Sequence, residues 1–411
     1  MALDIIDKET FGSFCSQVEY KSFIQSIEMA ELLQKRGYQT QYLAISDQKD
    51  IKVAAILYSV AMAGGLRMEI NSGPVVADAT YTTAFYKALQ DYAKQQGALE
   101  LVIKPYDTYQ TFTSDGHPND DEKPELIKAL TELNFTHDGL LTGYPNGEGD
   151  WHYVKELSGL TSANLIKSFS KKGKALLKKA KTFGIKLHKL SRDELAQFKA
   201  ITAATSSRRD YTDKPLSYYQ DFYDSFGDSC EFMVATLNFD DYLTNLRHSQ
   251  DRLKQGIAKL EADLVKNPRS EKKQNQLREL SSQFDTFQVR VAEAQELIIK
   301  YGKKDVPLAG SLFVYTPQEA VYLFSGSYPE FNRFYAPALL QEHVMLRAIE
   351  KGISCYNFLG IMGEFDGSDG VLRFKQNFNG YITRKMGTFR YYPKPFKYKA
   401  IKTIKALLGR S

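Results

Sequence analysis

A chain of 411 residues with 43% apolar and 25% charged side chains can fill two ordinary domains and still carry a projecting element. Its formal charge of +5 is too small to define a partner, so the electrostatic information lies in local clusters. Three scattered cysteines, Cys15, Cys230 and Cys355, with no C-x-x-C, argue against a disulfide framework or a zinc knuckle and fit a reducing cytosol.

The start, from Met1 to Glu9, carries acids where a signal peptide needs basic and then apolar residues. The longest apolar run, from Val53 to Leu66, is interrupted and too short for a bilayer, so the expectation is a soluble or at most peripheral protein. Residues 26–36 read as a helix, with Ser26 as its cap, Glu28 in its first turn, Lys35 and Arg36 in its last, and Gly37 as its stop. Strands follow at 40–46 and 51–62, then a turn at Asn71-Ser72-Gly73-Pro74. Residues 87–103 form a helix–glycine–strand unit: Ala88, Leu89, Tyr92 and Ala93 make one helical face, Gly97 ends it, and Leu99, Leu101 and Ile103 alternate as a strand. Residues 105–124, rich in Asp, Pro, Gly and Thr, read as loop. A helix at 125–133 and a strand near 135–142 close a first domain, 1–150.

A second domain opens at Trp151, with helices near 162–182, 193–206 and 215–226 and a strand at 231–238. Between Glu156 and Asp193 there is no acid, while Lys167, Lys171, Lys172, Lys174, Lys178, Lys179, Lys181, Lys186 and Lys189 crowd one helix and its exit. Such a run is either a solvated helix face or a positive field suited to the phosphates of RNA or of a lipid headgroup. Leu243, Leu246, Leu253, Ile257, Leu260 and Leu264, then Leu277, Leu280, Phe284, Phe287, Val291, Ala294, Ile298 and Tyr301, fall at coiled-coil spacing. Pro268 breaks the run and Ser270 can cap a second helix, so the chain turns back on itself. Limbs of roughly 25 residues would extend about 35–40 Å and must protrude. The expectation is an inserted arm at 241–304, with 151–240 and 305–411 forming the domain it interrupts.

Strands resume at 308–315 and 320–325, and the helix–glycine–strand pattern recurs at 344–358 around Gly352, hinting at duplication and a mixed or mostly antiparallel sheet. In residues 396–408, Phe396, Ile401, Ile404, Leu407 and Leu408 recur at helical spacing with Lys397, Lys399, Lys402 and Lys405 between them. That basic amphipathic helix suits either an anionic membrane surface or its own domain.

The histidines at 117, 137, 152, 188, 248 and 343 show no metal-ligand spacing. There is no Walker A sequence, G-x-G-x-x-G, G-x-S-x-G elbow or convincing coenzyme A pyrophosphate turn. These absences leave acyl transfer from some other donor, or no chemistry.

Several motifs span nearly the whole chain in order: Phe23-Ile24-Gln25-Ser26 with Glu31, Leu32 and Gly37; Asn71-Ser72-Gly73-Pro74; Asp210-Tyr211-Thr212-Asp213-Lys214 with Tyr218-Tyr219; the helical hairpin; Tyr356-Asn357-Phe358-Leu359-Gly360; and Val371 through Phe378. In these the chain resembles the Fem family of aminoacyl-tRNA-dependent peptidyltransferases (FemABX), and within it looks most like the streptococcal MurM/MurN branch. The resemblance implies an α+β fold of two GNAT-like domains, with an antiparallel coiled-coil arm inserted in the second. It implies transfer of an amino acid, alanine or serine, from aminoacyl-tRNA to the stem-peptide lysine of lipid II, or to the residue already attached there. The reaction needs no bound cofactor, the tRNA being a co-substrate, and would run in the cytoplasm at the inner face of the membrane.

Carried over by position, Lys375 with Phe374 matches the family's Phe-Lys pair, whose ammonium would stabilise the oxyanion or the leaving 3′-oxygen. Tyr218 matches a tyrosine that helps hold the acceptor headgroup. An arginine expected four residues earlier is Lys214, which keeps the charge but loses the bidentate fork. A lysine common in the family's first helix falls on Leu33, with Lys35 the nearest substitute. No base for the attacking amine declares itself: Glu364, Asp366 and Asp369 are near Lys375 in sequence only, and substrate-assisted transfer is equally open. Two alternatives remain, a non-catalytic tRNA- or membrane-binding scaffold and an aminoacyl-tRNA–protein transferase.

Overall fold

A computed structural model describes residues 3–209 and 211–407. Met1, Ala2, Asp210 and Leu408 lie outside the described residues.

Two mixed sheets organise an α+β fold, each of eight strands. The first runs Asp4–Ile6, Gln39–Asp47, Asp50–Met62, Gly65–Asn71, Ala98–Lys104, Phe389–Tyr391, Thr136–His137, with Val75–Val76 beside Asp50–Met62. The second runs Lys186–Lys189, Cys230–Asn238, Asp305–Tyr315, Ala320–Ser327, Cys355–Ile361, Trp151–Glu156, Tyr381–Lys385, Thr108–Thr113. Among the described residues one neighbouring pair in each sheet is parallel: Gly65–Asn71 with Ala98–Lys104, and Ala320–Ser327 with Cys355–Ile361.

Those parallel pairs explain the repeated helix–glycine–strand pattern. Parallel neighbours need a crossover, and here it is the helix Thr82–Gln95 in one unit and Ala336–Glu350 in the other. Each chain reversal uses a left-handed glycine, Gly97 at φ 75° and Gly352 at φ 72°. The two pairs then differ. The first pairs along its length, from Leu66↔Ala98 through one register shift after Leu66 to Asn71↔Lys104, whereas the second pairs only at Ala320↔Tyr356 and Val321↔Asn357 before the strands separate.

The sheets also exchange strands. Thr108–Thr113, inside the segment expected to be loop, pairs with Tyr381–Lys385 in the second sheet, burying Tyr109 and Phe112. In return Phe389–Tyr391 closes against Ala98–Lys104 in the first. A buried clamp holds residues 23–26 against the first sheet near the Asn71–Pro74 turn: Gln25 donates to the carbonyl of Asn71 (2.7 Å) and accepts from the Ile56 amide (2.8 Å). The two motifs at 23–26 and 71–74 are thus one structural joint.

The arm consists of helices Phe239–Lys266 and Glu271–Tyr301, longer than expected at 28 and 31 residues. Its root is anchored in the second unit's core by Phe239, Tyr242, Leu243, Leu246, Ala294 and Leu297, so the first turns belong to the globular body. Ser270 stands at the second helix's N-cap position without making a side-chain cap; Gln274 instead bonds the Pro268 carbonyl at 2.8 Å.

Candidate functional site

Past Val321 and Asn357 the diverging strands leave a V that holds a cavity of about 510 Å³. Tyr322 and Phe324 line one wall, Leu359 and Gly360 the other, and Phe374 and Lys375 also face it. The wall at Leu359 is a bulge: Asn357 stands opposite Val154 and Gly360 opposite His152, so two residues face the single Tyr153. Leu359 is held at φ 57°, a left-handed conformation that is uncommon for a bulky side chain. A Cβ on the neighbouring Gly360 would stand 2.8 Å from the ring of Tyr144, so a side chain there would have to displace that ring.

Lys375 ends a short helix, Gly370–Lys375. Asp369 caps that helix, accepting from the Val371 amide (2.7 Å) and the Met362 amide (3.0 Å). The Lys375 side chain is 3% exposed, and Nζ donates to the carbonyls of Leu359 (3.0 Å) and Gly360 (2.6 Å). Burial pushes its pKa down to about 7, with the Asp369 carboxylate opposing the shift. Phe374 is half-buried in the cavity wall and packs edge-on against Phe378 at 5.4 Å.

The other anticipated residues form a second cluster. Tyr218 is half-buried, with the Lys214 ammonium 5.3 Å from its ring centre, and its edge meets Phe324 of the cavity wall at 6.0 Å. Burial raises its phenol to about 12, so it remains neutral. Lys35 does not join this cluster. It is exposed and acts on Asp224, whereas Arg36 places its guanidinium 5.6 Å from the Tyr218 ring and pairs with Asp221 at 3.6 Å. Asp213 anchors the segment before Tyr218: it pairs with Lys199 and accepts from Tyr219 and Thr202, each at 2.9 Å.

The lysine block lies beside Lys375. In the helix Lys171–Ala180, a Cβ on Gly173 would fall 1.9 Å from the carbonyl oxygen of Asn377, two residues past Lys375. Ser170 caps that helix and donates to the same carbonyl at 3.1 Å. Lys181 pairs with Glu342 and Lys186 with Asp241, but among the described residues Lys167, Lys171, Lys172, Lys178 and Lys189 have no carboxylate partner. The helix leads to a second cavity of about 360 Å³ at the arm root, lined by Lys179, Phe183, Arg290, Arg333 and Phe334. A short segment separates the cavities. Its Asn332 and Pro337 face the first, Arg333 and Phe334 the second, and Lys179 sits 5.2 Å from the Tyr335 ring between them.

None of the acids near Lys375 in sequence faces the first cavity, whose carboxylate is Asp213. Asp366 bonds its own turn at the Ser368 amide, and both oxygens of Asp369 are occupied as a cap. Arg36, Asp213 and the bulge at Asn357 escape a reading of residues one at a time. Asp213 and Asn357 lie inside the family-like motifs, but their roles depend on distant partners.

The model of the FemAB family matches residues 6–406. "Aminoacyltransferase FemA" of Staphylococcus aureus (strain bovine RF122 / ET3-1) is 28% identical over 407 residues, covering 96% of this chain and 97% of the relative. The protein of the same name from strain N315 matches to the same extent, 28% over 407 residues. Among solved structures, a crystal structure of FemX superposes with a TM-score of 0.76 at 19% identity, covering 98% of this chain and 100% of that one.

Proposed function

Because this chain belongs to the FemAB family and is an aminoacyltransferase, we propose that it transfers an amino acid, alanine or serine, from aminoacyl-tRNA to the stem-peptide lysine of lipid II or to the first residue attached there, building the peptidoglycan interpeptide bridge. The observation that carries this reading is Lys375, a buried amine at the wall of an open cavity in the second unit's V.

In the transfer, the acceptor's neutral amine attacks the ester carbonyl. A C–N bond forms, the bond from carbon to the 3′-oxygen breaks, and that oxygen leaves with a proton. A charged lysine has three N–H donors; Leu359 and Gly360 take two, leaving one for the substrate. That donor stabilises the tetrahedral oxyanion, and a pKa of about 7 suits proton delivery to the leaving oxygen. Phe374 shields the reacting ester from water. Lys214, Tyr218 and Arg36 hold the acceptor's phosphates beside the cavity.

The donor's phosphates lie on the helix Lys171–Ala180, whose unpaired lysines start beside the Lys375 segment. Its backbone continues over Tyr335 toward the cavity at the arm root, where Lys179 and Arg290 are cations beside the Arg333–Glu293 pair. The acceptor is lipid-linked, so the protein works peripherally at the inner face of the cell membrane. The helix Pro395–Leu407 is the surface that fits: Tyr398, Ile401 and Lys405 turn inward, while Phe396, Ile404 and Leu407 are 88%, 56% and 81% exposed.

The test is the mass of lipid II after incubation with the protein and each charged tRNA in turn. A gain of one residue with alanyl- or seryl-tRNA, lost in Lys375→Met, is expected. Binding of charged tRNA without deacylation would favour a scaffold, and transfer to a protein N-terminus would favour the protein-transferase alternative.

A further inference from the structure

Lys375 owes its position to a backbone conformation that Leu359 does not favour by itself. Left-handed φ is unfavourable for a non-glycine residue, so something must hold it. The holder is Asn357, 2% exposed, whose Oδ1 accepts from the Leu359 amide at 2.8 Å. That bond turns the carbonyls of Leu359 and Gly360 toward the same Nζ.

Asn357 is itself oriented from outside its strand. Its Nδ2 donates to Glu319 and to the Tyr106 hydroxyl, each at 3.1 Å, so its oxygen has only one orientation left to take. Glu319 is buried, accepts from the Tyr106 hydroxyl at 2.7 Å, and through its other oxygen accepts from the Phe23 amide at 3.1 Å. Phe23 and Tyr106 belong to the stretch before Trp151. A continuous chain of hydrogen bonds therefore runs from the joint at residues 23–26 through Glu319 and Asn357 to the bulge and Lys375.

We propose that Asn357 is a positioning residue for Lys375: it clamps Leu359 in the left-handed bulge, and Glu319 couples that clamp to the seating of Phe23 and Tyr106. The inference rests on the transfer reading only for its kinetic readout, since the clamp is also visible in the state of the lysine itself. The charged group that bears on Lys375 is Asp369 from its own cap, and His152 on the neighbouring strand feels the Lys375 charge in turn; Asp213, Arg208, Arg209, Tyr144 and Tyr322 line the same cavity. His152 is held neutral by burial and by Lys385 and Lys375, its pKa down to about 3.

The experiment compares Asn357→Ala, Leu359→Gly and the double variant, using the full chain. Glycine adopts φ near +57° without a clamp, so the double variant should recover what Asn357→Ala loses. Expected for Asn357→Ala is a 10- to 100-fold fall in kcat with little change in either KM. Its Lys375 ammonium, followed by side-chain nitrogen NMR, should titrate at lower pH because two carbonyl acceptors are misplaced. Leu359→Gly should restore both readouts in the Asn357→Ala background. A Lys375 titration unmoved in folded Asn357→Ala would overturn the proposal, and so would a folded double variant that stays impaired. If Lys375→Met proves fully active, the transfer role fails while the NMR titration still decides the clamp.

Discussion

The guanidinium of Arg36 stands 5.6 Å from the ring of Tyr218, whereas Lys35, one residue earlier, is exposed and acts on Asp224. The helix Ile27–Lys35 stops one residue short of Arg36, which is its C-cap, so the direction of the Arg36 side chain follows the terminating turn and not the helical wheel. With Lys214 5.3 Å from the same ring, two cations converge there, Arg36 standing where Lys35 had been expected. Arg36→Ala should raise the acceptor KM by roughly 5- to 10-fold, on the order of 1 kcal/mol, with kcat kept. Lys35→Ala should leave both constants unchanged. The reverse ranking in steady-state kinetics would return the role to Lys35.

Lys375 makes two pH predictions of opposite character. Burial lowers its pKa from 10.5 to about 7, so between those values the unfolded chain binds a proton that the native state has shed. Stability from this group therefore rises with pH across that window and is lowest on its acid side. Lys375→Met should melt higher than the parent near pH 6, and the gap should narrow as pH approaches 9. A gap independent of pH in calorimetric scans would show that the buried amine is not shifted.

Activity runs the other way. The acceptor amine must be neutral, which gives a limb rising with pH, while the Lys375 donor is lost as pH passes its pKa. The profile of kcat should be bell-shaped with its falling limb at or above about 7, since the developing oxyanion favours the charged lysine. Lys375→Arg, whose guanidinium stays charged, should flatten that falling limb even if its rate is lower. A falling limb retained in Lys375→Arg would assign it to another group.

Much of the fold was legible because it is local. The crossover helices end at glycines, the strands at 51–62 and 231–238 have β-branched and aromatic runs, and the arm repeats at coiled-coil spacing around one proline. Thr108–Thr113 and Phe389–Tyr391 were not legible, because they are short, partly polar strands whose pairing depends on the other half of the chain. The site divides the same way. Phe374, Lys375, Lys214 and Tyr218 came from the likeness of motifs; Phe374 and Lys375 line the cavity, while Lys214 and Tyr218 form a neighbouring cluster that meets its wall where Tyr218 packs on Phe324. Asn357 stood in a motif without a role, since no propensity assigns a leucine to the left-handed region.

Gly173 tests whether the lysine helix and the Lys375 segment act as one unit. Alanine inside a helix is ordinarily favoured over glycine by up to about 1 kcal/mol. Here its Cβ would meet the Asn377 carbonyl at 1.9 Å, backbone against backbone, with no flexible side chain to yield. Gly173→Ala should therefore lower the melting temperature and displace the segment, cutting kcat at least about 10-fold. An active, stabilised Gly173→Ala protein would mean that helix and segment move apart freely.

The unpaired lysines on that helix predict a salt signature. Replacing Lys171, Lys172 and Lys178 with glutamine removes charges that make no ion pair, so the fold should be unaffected within about 0.5 kcal/mol. If they neutralise donor phosphates, the slope of log Kd against log salt for tRNA should fall by roughly one for each phosphate no longer neutralised. Acceptor KM, set around Tyr218, should not change. An unchanged salt slope would place the RNA elsewhere.

The helix Pro395–Leu407 predicts membrane binding that does not depend on catalysis. Its inward stripe is thin: Ile401 reaches Gly64, where a Cβ would stand 2.5 Å from it, and Tyr392 packs against Tyr398 with ring centres 4.4 Å apart and planes tilted by 38°. The outward stripe carries Phe396, Ile404 and Leu407, flanked by lysines that find no carboxylate among the described residues. Apolar side chains facing water beside unpaired cations match an anionic bilayer surface in both respects. Vesicles containing phosphatidylglycerol should therefore co-sediment the protein, and vesicles of phosphatidylcholine alone should do so far less. Phe396→Ser with Leu407→Ser should weaken binding on the order of 10- to 100-fold, as expected from losing two buried apolar side chains. Transfer to a water-soluble acceptor should be unchanged. Equal binding of the double variant would show that this face meets something other than lipid, and a concentration-dependent dimer lost in the same variant would identify it as a second copy of the chain.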